Sequence, residues 1–223
     1  MLAITTFSPS AWNVYARVCL ERMRDFWPGS VRAYVEGAPP ALDGIEFRPL
    51  DMPEREEFLA LDIPQRPGFL WDAKRFSHKV FAQIDAAKDG EPFWWIDADI
   101  AMFRHVPEEL LEQEEMVTFL GRDTYTETGL VGFNPRHKDF PEFLKRYRSM
   151  YVDRKLFELP YWTDCHAFDA AREGQGRNLT PRGKGFDNVM RDSVFGAYMA
   201  HFKGPLKAQL YRLGGADAVS ANL

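Results

Sequence analysis

The stretch Phe93 to Phe103, FWWIDADIAMF, constrains the fold of this chain more than any other. Its apolar run reads as a buried strand, yet it carries Asp97 and Asp99 near its end. A carboxylate buried without a partner is costly, and two of them separated by one small residue also repel each other. Either a cation neutralises them, or the strand runs out into a turn and both aspartates are solvated at its tip. A divalent metal ion is the economical cation, because hard ions prefer carboxylate oxygens and can bridge to a phosphate. The D-x-D triplet does not separate these alternatives by itself.

A chain of 223 residues with 45% hydrophobic and 27% charged content has material for a sizeable core and is expected to be ordered over most of its length. Its net charge of −5 excludes a general nucleic-acid binder, which draws its affinity from a basic surface. Cys19 and Cys165 form no disulfide or metal-binding spacing, which fits a reducing compartment. The opening MLAITTF has no basic n-region or long apolar h-region, and no apolar run reaches about 18 residues. Neither a signal peptide nor a membrane span is expected, and the expected location is the cytoplasm.

Leu2 to Phe7 reads as a first strand, and Ser8-Pro9 as the start of a helix whose apolar stripe is Trp12, Tyr15, Ala16, Cys19, Leu20, Met23 and Phe26. Short strands follow at Ser30 to Val35 and Ile45 to Leu50, and 51–71 is expected to be an irregular surface excursion. A second helix covers Ala73 to Ala87, with Lys79 beside its apolar stripe. It leads into the acidic strand, and a short acidic helix begins at Val106-Pro107. Met116 to Leu120 and Gly129 to Phe133 read as strands. Asp139 to Tyr151 reads as a helix whose Asp139 and Glu142 form a capping box. Its Lys145, Arg146 and Arg148 give a solvated basic face, with peripheral contact to an anionic membrane as the alternative. The alternation of strands and helices predicts a single α/β domain with a mainly parallel central sheet flanked by helices. Ligands in such sheets collect at the carboxyl ends of strands where the winding reverses, and Asp97 and Asp99 lie at such an end.

His201 precedes Phe202-Lys203-Gly204-Pro205-Leu206-Lys207. An imidazole ligand, a glycine that admits an anion close to the backbone, and lysines able to meet phosphate describe half of a site for a metal-bound diphosphate. Asp97 and Asp99 supply the other half. Several segments now stand in order: Ile4-Thr5-Thr6 and Tyr15, Lys79, Trp95-Ile96-Asp97-Ala98-Asp99, Gly129-Leu130-Val131-Gly132-Phe133-Asn134-Pro135, and H-F-x-G-x-x-K at 201–207. In this pattern the chain resembles the GT-A nucleotide-sugar glycosyltransferases, in particular the group of glycogenin and bacterial lipopolysaccharide sugar transferases.

The resemblance implies one GT-A (Rossmann-like) domain. Residues 1–104 would be its nucleotide-sugar half, 105–213 its irregular acceptor side, and 214–223 a mobile tail. It implies Mn²⁺, with Mg²⁺ as the alternative, held by Asp97, Asp99 and His201. Thr5, Thr6, Tyr15, Lys79, Asp97, Ala98, Gly204 and Lys207 would bind the donor, although the spacing from Thr6 to Tyr15 exceeds that of glycogenin. Asp164 and Glu127 are the carboxylates expected at the transferred sugar. Glu127 stands where the family has an asparagine, and a glutamate there could contact hydroxyls, stabilise a cationic transition state, or act as base or nucleophile. An exposed turn for Glu127 and a helix cap for Asp164 are the plain structural alternatives. Phe157, Tyr161, Trp162 and Phe168 offer either stacking faces for an acceptor sugar or core packing.

The implied activity is transfer of a hexose from a nucleoside diphosphate sugar, UDP-linked in this group, to a hydroxyl of a glycan or glycolipid acceptor, with retention. A sugar-1-phosphate nucleotidyltransferase is disfavoured because the first strand and its turn lack a Gly-rich phosphate loop. A non-catalytic nucleotide-sugar or glycan-binding protein remains the third alternative.

Overall fold

The structure is a computed structural model that describes residues 1–64 and 66–207; the expected tail at 214–223 lies outside them. In chain order the strands are β1 (Leu2–Phe7), β2 (Val31–Val35), β3 (Glu46–Pro49), β4 (Phe93–Ile96), β5 (Ile100–Met102), β6 (Val117–Leu120), β7 (Glu127–Phe133), β8 (Arg177–Asn178) and β9 (Met199–His201). The helices are α1 (Arg17–Phe26), α2 (Pro53–Leu59), α3 (Ala73–Ala87), α4 (Phe140–Val152) and α5 (Asp164–Arg172).

Seven strands form one sheet in the order β3-β2-β1-β4-β7-β6-β8, and β5 pairs with β9 in a separate small sheet. Only β7 runs against its neighbours, so the large sheet is mostly parallel. The winding goes from β1 outward through β2 and β3, then returns to place β4 on the other side of β1. The carboxyl ends of β1 and β4 therefore form a switch point. Both faces of the sheet are covered. Ile4, Trp95 and Val131 face a core shared with α3, α4 and α5, while Ala3, Trp94, Ile96 and Leu130 face α1 and the segment around Phe195. This is the two-residue period of strands buried on both sides.

The acidic stretch is not one strand. β4 stops at Ile96, residues 97–99 turn, and β5 starts at Ile100 in the second sheet. The turn is closed by Ile100 N donating to Asp97 O at 2.9 Å. Splitting the run removes both carboxylates from a strand interior, where no ladder position could neutralise them.

Three other expectations change. The first helix opens with a 3₁₀ turn at Pro9–Ala11 and a π-helical turn at Trp12–Ala16 before α1 begins. The 51–71 segment contains α2: Pro53 at its first turn, Glu54 and Glu56 beside it, and Phe58 buried are helix-start chemistry, although the same composition suits a loop. The Asp139 capping box does not form, because Asp139 already has helical dihedrals and its side chain caps nothing. The basic face of α4 is largely paired, with Arg146 on Glu142 and Glu173 and Arg148 on Glu54. No helix among the described residues is long and apolar enough to cross a membrane.

Candidate metal and diphosphate site

The carboxyl end of β4 places Asp97 one step beyond the sheet, where its N–H still donates to Gly129 O at 2.8 Å. Asp99 follows in the turn, and the β5–β9 register sets Ile100 opposite His201. Phe202 N donates to Asp99 O at 2.9 Å and locks this approach. Residues more than a hundred positions apart are thus fixed by backbone pairing. His201 Nε2 lies 3.0 Å from Asp99 Oδ1 and 3.8 Å from Asp97 Oδ2. Ligand atoms of Asp97, Asp99 and His201 all fall within 4.8 Å of one another, so one ion can reach all three.

Cations surround this group. Lys207 Nζ is 2.7 Å from Asp99 Oδ2 and sits 4.8 Å from the centre of the Tyr15 ring. Burial opposes the charge on Asp99, but His201 and Lys207 outweigh it and hold the carboxyl well below its ordinary range. Lys79, buried on α3, reaches Asp97 Oδ1 at 2.9 Å, Asp164 Oδ2 at 2.8 Å and the Thr128 carbonyl at 2.6 Å. Burial disfavours its charge, and Asp164 and Asp97 overcome that penalty. Thr128 Oγ1 donates to Asp164 Oδ2 at 2.6 Å. Asp164 is buried at the first turn of α5, whose cap is the side chain of Thr163.

Glu127 opens β7 and is buried rather than in an exposed turn. Arg122 Nη2 lies 2.6 Å from its Oε2, Lys203 pairs with the same oxygen, and Gly129 N donates to Oε1 at 3.2 Å. Oε1 faces His201 Nδ1 at 3.6 Å. Burial would raise its pKa, but His201, Lys203 and Arg122 together bring it down to about 2. Gly129 makes this packing possible, since a Cβ there would stand 2.6 Å from His201 Cε1 and 3.0 Å from Glu127 Oε1.

The remaining expected residues divide. Tyr15 does reach the site, because the 3₁₀ and π-helical turns absorb the long spacing after Thr6. Gly204 has a left-handed φ of 55° and opens the 3₁₀ turn that carries Lys207. Ala98 is buried between the two aspartates. Thr5 is fully buried at the end of β1, and Thr6 gives its hydroxyl to Tyr34 O at 2.8 Å. Of the four aromatic residues considered for stacking, Trp162 and Phe168 are core and Phe157 stacks on Phe58, leaving Tyr161 exposed. Thr128, Arg122 and the Lys203–Glu127 pair carry no signal in sequence spacing; only the need of a buried carboxylate for a cation points toward them.

No protein-family profile matches the sequence, and no curated protein matches it. Solved structures do. The crystal structure of the galactosyltransferase LgtC in complex with donor and acceptor sugar analogs is 13% identical and superposes with a TM-score of 0.57 over 99% of this chain and 94% of that one. The crystal structure of an active-site mutant of LgtC gives 13% identity and a TM-score of 0.50 over 92% of this chain and 88% of that one. At this identity the likeness is one of fold, and the fold is that of a GT-A glycosyltransferase.

Proposed function

We propose that this protein is a metal-dependent glycosyltransferase that moves a hexose from a nucleoside diphosphate sugar, UDP-linked, to a hydroxyl of a glycan or glycolipid. The observation that carries this reading is the convergence of Asp97, Asp99 and His201 with Lys207 at the switch point of the sheet. Two carboxylates and an imidazole suit Mn²⁺ or Mg²⁺ better than a thiophilic ion. A divalent cation bound there would supply positive charge against the donor phosphates as the diphosphate leaves. Lys207 and the backbone at Gly204 would hold the diphosphate. Thr6 and Tyr15 would border the nucleoside, with Thr5 beneath them, and Lys79 and Ala98 would lie on the donor side. Residues 1–104 form the donor half in this reading, and the segment from 105 onward the acceptor side.

Glu127 is poorly placed for general-base work, because Arg122 and Lys203 occupy its Oε2 and Gly129 N donates to its Oε1. Its role is to hold His201 and Lys203. Asp164 then remains as the carboxylate next to the sugar, and retention of anomeric configuration rests on the resemblance to the glycogenin group.

The test is release of UDP from a panel of UDP-hexoses with and without Mn²⁺. The wild type is expected to release UDP only with the metal, and Asp99→Asn to lose at least a hundredfold in rate. Equal rates in the two proteins, or release indifferent to metal, would sink the proposal. Product NMR reads the anomeric outcome.

A further inference from the structure

Outside the candidate metal group, a rail of rings extends in both directions from Tyr161, the one exposed ring among the four weighed for stacking. Trp71 and Tyr161 have centroids 5.6 Å apart, Tyr161 and His166 5.0 Å, His166 and Tyr125 5.9 Å, and Tyr125 and Phe186 6.4 Å. The rings come from four separate segments, so no local sequence pattern announces them. The line runs outward from the core: Trp71 packs against it, Tyr125 and His166 are half-buried, and Tyr161 and Phe186 are 37% and 91% exposed. Isolated apolar residues at a surface are ordinary, but a contiguous line of rings ending in Phe186, the most exposed large hydrophobic of the described residues, is not.

The rail is built rather than accidental. Phe186 projects from a turn pinned by Gly185 N donating to Asp123 Oδ1 at 2.7 Å and Lys184 N donating to Asp187 Oδ2 at 2.9 Å. Arg122 covers the Tyr125 ring at 5.1 Å and also holds Glu127, joining the rail to the His201 side of the site. His166 lies on the first turns of α5, two residues from Asp164, with Nδ1 2.7 Å from Thr163 Oγ1. Burial lowers its pKa, so it is a neutral ring with a polar edge at physiological pH. Rings interleaved with imidazole and phenol edges match the two chemistries of a saccharide, apolar C–H faces and equatorial hydroxyls. A bilayer is the poorer match, because the charges beside the most exposed ring offset one another, with Lys184 3.6 Å from Asp123, and the polar ring edges along the line have no counterpart in an acyl phase.

We propose that the line from Trp71 through Tyr161, His166 and Tyr125 to Phe186 binds the body of a saccharide chain of two or more rings, leading its terminal hydroxyl toward Asp164. The inference rests on the glycosyltransferase reading, because that reading makes the adjoining site a place for sugar transfer.

The experiment uses the full chain with Mn²⁺ and UDP on a broad glycan array, beside Tyr161→Ser and Phe186→Ser, both at exposed positions, and the double variant. Expected is retention of some di- or longer saccharides by the wild type, no retention of the matching monosaccharides, and at least a tenfold loss in the double variant. Thermal stabilisation by Mn²⁺ with UDP should be equal in all four proteins, which keeps the two readings apart. If that stabilisation is absent from the wild type, the donor site fails; if it is present and no glycan is retained, or retention survives the double substitution, the rail fails. Flotation of the wild type with phosphatidylcholine or phosphatidylglycerol vesicles, lost in Phe186→Ser, would overturn it in favour of a membrane.

Discussion

Gly129 shows how a residue with no side chain can decide the chemistry of a site. It lies in β7 beside the imidazole of His201, and the space a methyl group would need is already filled by Cε1 and Nδ1 of that ring at 2.6 and 2.9 Å. Gly129→Ala must therefore push His201 away from Asp99 or distort β7. Calorimetric or EPR titration with Mn²⁺ should show affinity lower by about 10- to 100-fold, the usual cost of disturbing a ligand's supporting contacts. Unchanged affinity would mean that His201 is not held in place by this contact. The candidate ligands Asp97, Asp99 and His201 are legible in sequence because carboxylates and an imidazole near glycine and lysine are chemically unusual neighbours. Their supports are not. Lys79 stands beside an apolar stripe in sequence, but its contacts with Asp164 and the Thr128 carbonyl depend on how α5 and β7 pack against α3.

At the level of elements, legibility followed apolar periodicity, and where it failed a local competitor was at work. α3 is legible at Ala73–Ala87 because Phe76, Val80, Ile84 and Ala87 recur at helical spacing, although Lys79 to Ile84 are buried all round. α2 is not legible, because its proline and glutamates read equally as a loop and as a helix start. The expected cap of α4 failed for a different reason: the turn at 137–140 already bonds Phe140 N to His137 O, leaving Asp139 in helical rather than extended dihedrals. The two helix starts therefore make a controlled pair. Asp139→Ala should cost less than about 0.5 kcal/mol in a urea titration, since a surface residue without a special contact contributes little. Thr163→Ala should cost about 1 kcal/mol or more, because its side chain accepts from His166 N at 3.4 Å and also meets the His166 ring. Equal losses in the two variants would show that the cap contact at α5 carries no special weight.

Over the whole molecule, the sheet order was legible only in outline. Alternating strands and helices imply a mostly parallel sheet, but nothing in sequence spacing announces that β7 inserts antiparallel between β4 and β6, or that β5 leaves to pair with β9. Long-range charge pairs now fasten this arrangement at its far edge. Arg32 of β2 is buried, with Glu46 of β3 at 3.0 Å and Asp89, just past α3, at 2.6 Å. Burial works against the charge on Glu46, but Arg32 and Arg48 lower its pKa below the ordinary 4.5; Arg32 likewise lowers that of Asp89 below 3.8. Because both acids are depressed in the folded state, the unfolded chain takes up their protons first as the solution is acidified. The stability these pairs contribute is therefore fully present above pH 4.5 and is lost as pH falls through the lower folded values. Both carboxylates are partly exposed, so the contribution is moderated by water. Urea denaturation of wild type and the Glu46→Gln, Asp89→Asn double variant from pH 7 to pH 3 should show the variant less stable at neutral pH, with the gap closing below pH 4.5. A gap that stays constant over this range would place the acid sensitivity of the fold elsewhere.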